Sequence, residues 1–201
     1  MKNTEILGTL AGVLQLVGYI IYIYFVFYKN IKPNASSWIM WTYGNLLLTG
    51  SYISATENLS QQILPAVCGI SCVITCIIFV IGGKFEKLDI TEKIVLSIDI
   101  LIGIFWIYSK NSEWVNILVD CTAIISFVPI IRNTYKNPEE EHFLPWLVWT
   151  SAYVLLLIVA IQSRSNNPFL DIFYPGSYAL YHLLIAIFAL KQTKRTLYKS
   201  Q

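Results

Sequence analysis

Charged side chains are scarce in this sequence. Asp, Glu, Lys and Arg make up 13% of its 201 residues, and 56% are hydrophobic, whereas an ordinary soluble domain carries about 25% charged residues. The net charge is +2, and the basic residues fall in short connecting segments and the C-terminal tail. We therefore expect no nucleic-acid partner, and we expect the lipid bilayer to surround the long apolar runs.

Catalytic and metal-binding patterns are also missing. The sequence has no glycine-rich phosphate loop, no His-Glu-x-x-His and no Gly-x-Ser-x-Gly. Cys68, Cys72 and Cys76 lie four residues apart on one helical stripe, but neither a histidine nor a carboxylate shares that stripe. Small packing residues of a membrane helix explain this spacing better than a metal site does. We expect no enzyme, no cofactor and no metal.

Seven apolar runs, each of about 20 residues, predict seven transmembrane helices. The first is as long as a bilayer span and is not followed by a small-residue cleavage site, so we expect it to be retained and not removed as a signal peptide. The predicted spans are 6–28, 37–55, 63–82, 91–109, 114–133, 143–163 and 169–190.

Basic residues in the connecting segments predict the orientation. Alternate segments carry three Lys and Arg residues on the N-terminal side and eleven on the other side. Because basic loops stay in the cytoplasm, we expect the N-terminus outside and the C-terminus in the cytoplasm, in a plasma (inner) membrane.

A recurring segment indicates an internal repeat. Residues 28–45 read YKNIKPNASSWIMWTYGN, and residues 135–153, about 107 positions later, read YKNPEEEHFLPWLVWTSAY. Both begin Tyr-Lys-Asn, both reach Trp-x-x-Trp-Thr, and an apolar helix follows each. The two halves of the chain therefore follow one plan.

The repeat extends into the third span of each half. Pro65 matches Pro175 at an offset of 110. Three spans per unit would leave two fused units pointing in opposite directions, and a fourth span between them makes them parallel. We therefore predict an all-α integral membrane protein with two parallel three-helix repeats joined by an inversion-linker helix (3+1+3). The predicted domains are residues 1–84, 85–112 and 113–201.

This plan resembles the SWEET and PQ-loop superfamily of small transporters, over about residues 6–194. Of the Pro-Gln signature, the second unit keeps Pro129 but has Ile130 in place of glutamine, and the first unit has Tyr22 in place of the proline. The resemblance implies alternating access by rocking of two triple-helix bundles around a substrate held near mid-membrane. The sequence looks closest to an uncharacterised bacterial PQ-loop-like branch with a Lys-Pro…Ser-Trp-x-x-Trp loop, here Lys32, Pro33, Ser37, Trp38 and Trp41.

The tryptophan motifs supply the first candidate binding residues. Trp41 and Asn45 share one helix face, and Trp149 and Tyr153 occupy the matching face of the sixth span. These aromatic rings suit stacking on a substrate or closing a cytoplasmic gate, and an interfacial aromatic belt is the alternative. For the outer pair, Trp38 and Trp146, we favour the belt.

The third and seventh spans add further candidates. In the SWEET family the third helix of each unit supplies a polar residue to the central pocket, and the resemblance assigns that position to Cys72 and His182. Tyr178 lies within one turn of His182. A buried neutral histidine bonded to a carbonyl is the alternative for His182. The predicted substrate-binding set is Trp41, Asn45, Cys72, Trp149, Tyr153, Tyr178 and His182.

Ionisable and proline residues inside the spans are further candidates. Asp120 is a candidate proton-coupling carboxylate, with a structural hydrogen bond as the alternative. We expect Asp99 to be structural or to snorkel towards the cytoplasmic edge. Pro129 is the best hinge candidate, because a proline removes a backbone hydrogen bond. We expect the acidic run 139–141 to be solvated.

Three functions fit these features. The first is a small-molecule transporter for a sugar or similar polar solute. The second is a vitamin transporter of the PnuC type, which shares the 3+1+3 layout and favours tryptophan-rich sites. The third is a non-transporting membrane scaffold or sensor that binds a partner through tail residues 191–201. Two triple-helix units in one chain complete a pore, so a monomer suffices, and a homodimer is the alternative.

Overall fold

The computed structural model describes residues 2–28, 31, 35–82, 88, 90–163 and 168–199, with backbone alone for residues 2, 35, 36 and 191–199. The motif residues 29, 30, 32 and 33 lie outside this part of the chain, as do the basic residues 84, 87 and 164 used for the orientation. The side chains of the predicted partner-binding tail lie outside it too.

Helix is the dominant structure of the described residues, which contain no strand. Each of the seven predicted spans overlaps one α-helix, so this prediction is confirmed for helical structure. The helices are α1 (Lys2–Tyr28), α2 (Ala35–Ala55), α3 (Leu59–Ile81), α4 (Ile90–Ser109), α5 (Ser112–Lys136), α6 (Phe143–Gln162) and α7 (Pro168–Lys199), with a short 3₁₀ turn at Pro138–Glu140.

Five helices are long and apolar enough to cross a bilayer: α1, α3, α5, α6 and α7. Helix α4 is set apart by three charged residues, Glu92, Lys93 and Asp99, within its 20 residues. The serine, threonine and glycine residues of helix α2 lower its mean hydropathy. The long apolar helices make this a membrane protein by length and composition.

Local sequence sets several helix starts. The side chain of Asn58 accepts a hydrogen bond from the Ser60 amide at 3.0 Å at the start of α3, and that of Asn111 accepts one from the Trp114 amide at 3.1 Å at the start of α5. Such caps satisfy amides that have no partner within the helix.

Six helices pack in a closed ring in the order α1, α3, α2, α5, α7 and α6, and α4 lies against α2 and α5. The two groups of helices that the sequence repeat defines, α1–α3 and α5–α7, meet where α1 contacts α6 and where α2 contacts α5. In the repeat, α1 corresponds to α5 and α2 corresponds to α6. The α1–α6 contact and the α5–α2 contact are therefore equivalent.

Side-chain hydrogen bonds give the helix directions. The Ser37 hydroxyl, in the first turn of α2, donates to Glu92 near the start of α4 at 2.6 Å. Gln61, in the first turn of α3, donates to Asp171 near the start of α7 at 3.3 Å. Helices α2 and α4 therefore begin at one end of the bundle, here called the tryptophan end because it holds Trp38. Helices α3 and α7 begin at the opposite end, here called the aspartate end.

The outer surface is strongly apolar. Ile20, Ile70 and Leu101 are each about 60% exposed, whereas buried polar side chains such as Gln15 and Asn116 point inwards at 1% exposure. A surface of this kind suits lipid, because hydrocarbon does not penalise exposed Ile, Leu and Val. The buried polar groups therefore lie inside the bundle, away from the apolar surface.

Candidate functional site

A narrow cavity of about 50 Å³ lies between the two groups of helices, and all seven helices contribute to its walls. This volume holds only a few waters, at roughly 10–15 Å³ each. All seven predicted substrate-binding residues line it: Trp41, Asn45, Cys72, Trp149, Tyr153, Tyr178 and His182. Their role in binding stays a prediction.

Four tryptophans are part of the wall. Trp38 and Trp41 meet edge to face with ring centroids 5.6 Å apart, and Trp146 and Trp149 do so at 5.1 Å. The expectation that the outer pair forms an interfacial belt is wrong: Trp38 is 3% exposed, Trp146 is 2% exposed, and both line the cavity. Neighbouring helices cover both rings, which helix-face spacing does not reveal.

The walls use repeat-equivalent positions from both halves of the chain. At the offsets of the repeat, 107 to 110 residues, the cavity-lining residues form seven pairs. The pairs are Gln15 with Thr122, Tyr19 with Ser126, Trp38 with Trp146, Trp41 with Trp149, Asn45 with Tyr153, Cys68 with Tyr178, and Cys72 with His182.

The threonines of the repeated motif turn their hydroxyls back onto their own helices. Thr42 donates to the Trp38 carbonyl at 2.6 Å, and Thr150 donates to the Trp146 carbonyl at 2.7 Å. The shared Trp-x-x-Trp-Thr therefore places two rings on the wall and satisfies its polar residue locally.

Asn45 has partners of its own. Its Nδ2 donates to the Trp41 carbonyl at 2.8 Å, and its Oδ1 accepts from the Cys68 thiol at 3.3 Å. Each half thus contributes to this part of the wall, because Cys68 also lies 3.7 Å from the Tyr153 hydroxyl.

His182 is held in one tautomer. Its Nδ1 lies 2.6 Å from the Tyr178 carbonyl, which can only accept, so Nδ1 carries a proton. Nε2 of the neutral ring is then an acceptor. The rings of Trp146, Trp149 and Tyr153 surround the imidazole with centroids 5.2 to 5.6 Å away.

Three polar atoms of lining residues lack hydrogen bonds. Gln15 Oε1, Trp38 Nε1 and Trp41 Nε1 are buried and have no partner among the described residues. An unpaired buried polar group costs about 1–3 kcal/mol. Two donors and one acceptor are therefore available to a molecule in this cavity.

Gly18 allows one of the wall contacts. A Cβ at this position would overlap the indole ring of Trp149, whose Nε1 donates to the Gln15 carbonyl at 3.2 Å. The missing side chain on α1 thus lets a tryptophan of α6 reach the α1 backbone.

The two buried aspartates differ in position. Asp99 lines the cavity, is 2% exposed and accepts a hydrogen bond from the Thr122 hydroxyl at 2.6 Å, so the expectation of snorkelling is wrong. Asp120 lies off the cavity and is 1% exposed, and neither of its oxygens has a partner among the described residues. Its proposed role in proton coupling stays a prediction.

Glu141 corrects another expectation. The acidic run was expected to be solvated, but Glu141 is 4% exposed. Its Oε2 accepts from Trp146 Nε1 at 2.9 Å, and its Oε1 accepts from the Tyr22 hydroxyl at 3.4 Å. Burial raises the pKa of Glu141 to about 8, and these two hydrogen bonds oppose the rise. The carboxyl thereby connects α1 to the start of α6.

Pro129, the predicted hinge, lies inside α5, which continues as one helix on both sides of it. It borders an outward-facing groove with Arg132 and Lys136, away from the cavity. Its hinge role stays a prediction.

The sequence reasoning missed Gln15, Tyr19, Thr122, Ser126 and Phe127, which also line the cavity. A signal for four of them existed: Gln15 and Thr122 are polar residues at equivalent positions of apolar helices, and Tyr19 and Ser126 lie one turn further on. Comparing the first and fifth spans residue by residue would have found them.

No family model, no curated protein and no solved structure matches this chain. The resemblance to the SWEET and PQ-loop superfamily therefore stays a prediction from the sequence.

Proposed function

We propose that the protein is a small-molecule membrane transporter that works by alternating access between two triple-helix bundles. Helices α1–α3 form one bundle, α5–α7 form the other, and α4 is the inverting linker. The observation that carries the proposal is the cavity between the two groups, whose walls use seven pairs of repeat-equivalent positions. Parallel repeats around a central site are a known transporter plan.

The membrane arrangement is part of the same proposal. All seven helices cross the bilayer, with the N-terminus outside and the tryptophan end in the cytoplasm. Two observations support it: the excess of basic residues in the segments on that side and the common start of α2 and α4 at that end. The three-charge helix α4 is shielded on one side by α2 and α5, which lowers the cost of placing Asp99 in the membrane.

The chemistry of the wall favours a small solute with one flat face. Asp99 is the one charged side chain among the described residues lining the cavity, and its Oδ1 is bonded to Thr122. Trp41 Nε1 offers a donor, and Gln15 Oε1 offers an acceptor. Indole and phenol faces stack well on sugars and on heteroaromatic rings, so a sugar or similar polar solute fits.

A PnuC-like vitamin transporter is the second candidate. One contact favours it: Trp41 and Phe127, on α2 and α5, lie nearly parallel, with centroids 5.7 Å apart and planes 22° apart. Widening of this pair would admit a planar ring between them. Nicotinamide riboside and thiamine are solutes of that kind.

Binding and flux in purified protein test the proposal. Four of the six tryptophans line the cavity, so a bound solute changes the intrinsic fluorescence. We expect one class among sugars, nucleosides, amino acids and ring-containing vitamins to bind saturably and to be carried into proteoliposomes. The absence of binding and of flux across all these classes would contradict transport.

A membrane scaffold or sensor is the remaining alternative. It predicts a stoichiometric protein partner that is lost when the chain is truncated after residue 191, whereas the transporter predicts that solute binding survives this truncation.

A further inference from the structure

A second polar site lies apart from the cavity. Four buried oxygens have no hydrogen-bond partner among the described residues: the Tyr52 hydroxyl, Asn116 Oδ1 and both carboxylate oxygens of Asp120. The three side chains are at most 1% exposed. None of the three lines the central cavity, so a substrate bound there does not satisfy these oxygens.

The three side chains lie on α2 and α5, which pack against each other. Asn116 and Asp120 are four residues apart on α5, which places them on one helix face. Tyr52 lies on α2 and interacts electrostatically with Asp171 of α7 and with Asp120. Tyr174 and Tyr178 of α7 also lie within electrostatic range of Asp120.

The orientation of Asn116 is fixed by its amide nitrogen. Nδ2 donates to Ser51 Oγ at 3.3 Å and to the Leu48 carbonyl at 3.5 Å, both on α2. The amide therefore directs its nitrogen at the α2 backbone, and Oδ1 is the atom left without a partner.

The positive charge that would balance Asp120 is missing among the described side chains. No basic residue contributes to the electrostatics of this buried carboxyl. Arg132, the nearest basic residue further along α5, is twelve positions away, or about 18 Å along the helix. An ionised carboxylate in such a place requires a counter-charge.

We propose that Tyr52, Asn116 and Asp120 form a binding site for an alkali-metal cation of the size of Na⁺. One carboxylate matches one positive charge, and oxygen is the ligand that hard cations prefer. A proton on Asp120 would satisfy at most one of the other oxygens, whereas an ion contacts all of them. Among the described residues no group of three His, Cys, Asp or Glu is present, so the site does not suit a transition metal.

The position of the site links the ion to the two bundles. Tyr52 belongs to α2 and Asp120 to α5, so a bound cation joins the two groups of helices near the aspartate end. This step depends on the proposed transport function: the ion holds that end closed and couples its own gradient to the solute. Binding of the ion does not depend on transport.

Radioactive sodium binding to the purified full-length protein tests the site without a substrate. Choline replaces Na⁺ at constant ionic strength in the reference sample. We expect saturable binding of one ion per chain and a rise in melting temperature with Na⁺. Asp120→Asn, which keeps the shape and removes the charge, abolishes both effects. Tyr52→Phe, which removes one oxygen, weakens binding about tenfold.

Glu113→Gln is the matched control. Glu113 is an acidic residue of the same helix α5 but is exposed, so Na⁺ binding remains within about threefold of wild type.

Two results would overturn the proposal. The first is a wild-type protein without saturable Na⁺ binding. If its stability also responds to pH and not to Na⁺, Asp120 carries a proton in place of a Na⁺ ion. The second is unchanged Na⁺ binding in Tyr52→Phe. This variant tests the site even if Asp120→Asn does not fold. Solute flux in a protein that does not bind Na⁺ would contradict the Na⁺ site and leave the proposed transport function standing. Na⁺ binding without flux of any solute would contradict the transport function and leave the Na⁺ site standing.

Discussion

Gln61 on α3 donates a hydrogen bond from Nε2 to Oδ2 of Asp171 on α7 across 3.3 Å. The two residues are 110 positions apart, which is the offset that also relates Pro65 to Pro175. Two equivalent positions of a repeat touch only beside the axis that relates the two copies. In the proposed arrangement of two parallel repeats, this hydrogen bond marks where such an axis passes through the aspartate end of the bundle.

Removing the donor of this bond is expected to destabilise the protein. Gln61→Leu leaves Asp171 without its partner in a buried place, at a cost of about 1–3 kcal/mol in the free energy of unfolding. Unfolding in mixed detergent measures the cost. In a double-mutant cycle with Asp171→Leu, the two costs should not add; strictly additive costs would show that the bond contributes nothing.

Adding a methyl group at Gly18 is expected to displace Trp149 from the cavity wall. Gly18→Ala puts a Cβ into the indole ring and breaks the Trp149 hydrogen bond to the Gln15 carbonyl. Overpacking of this kind costs about 1–3 kcal/mol, and solute binding should weaken with it. Gly176→Ala is the control, since its Cβ meets no atom within 4 Å. Equal melting temperatures for the two variants would contradict this account.

Replacing Trp41 with phenylalanine separates binding from stability. Trp41 Nε1 has no partner among the described residues, so Trp41→Phe should leave the melting temperature nearly unchanged. It should weaken solute binding about five- to twelvefold, the worth of one hydrogen bond of about 1–1.5 kcal/mol. Trp146→Phe should lower the melting temperature, because it removes the hydrogen-bond donor to Glu141. Titration of each variant and its melting curve give both quantities.

The buried Glu141 carboxyl predicts a pH-dependent stability. Its pKa is raised from 4.5 to about 8 in the folded protein, so the folded state binds the proton more tightly than the unfolded chain does. Stability is then complete below about pH 4.5 and falls as the pH rises towards 8. Melting temperatures across this range should show the fall in wild type and a flatter profile in Glu141→Gln.

The neighbouring Glu139 supplies the control for that experiment. Glu139 is exposed, so Glu139→Gln should keep the wild-type pH profile. If Glu141→Gln and wild type lost stability in parallel, another group would be responsible.

Cysteine labelling can detect opening of the cavity. Cys68 and Cys72 line the wall and are buried, whereas Cys76 is half-buried and Cys121 is exposed on the outer surface. In a Cys76→Ser, Cys121→Ser background, a water-soluble thiol reagent reaches the remaining two only when one end opens. We expect slow labelling that a bound solute slows further. Rates that do not respond to any binding solute would argue against an opening cavity.

Part of the candidate site could be predicted from the sequence, because the repeat can be recognised in the sequence itself. The Trp-x-x-Trp-Thr motif and the 110-residue offset between Cys72 and His182 predicted residues that the structure brings to one cavity. Gln15 and Thr122 were equally visible but required alignment of two helices with little identity. The burial of Glu141 was not predictable, because it depends on Tyr22, 119 positions earlier.

The sequence by itself determined the seven helices, because apolar run length and turn residues are local properties of the chain. It also determined the repeat, since identical motifs at a constant offset need no coordinates. Only the tertiary structure decided which polar groups are satisfied. Trp146 is hydrogen-bonded to Glu141, and Asp99 is hydrogen-bonded to Thr122. Asp120 has no hydrogen-bond partner among the described residues. Glu141 lies five residues from Trp146, whereas Asp99 and Thr122 come from different helices. The cost of a buried polar group depends on whether such a partner is present.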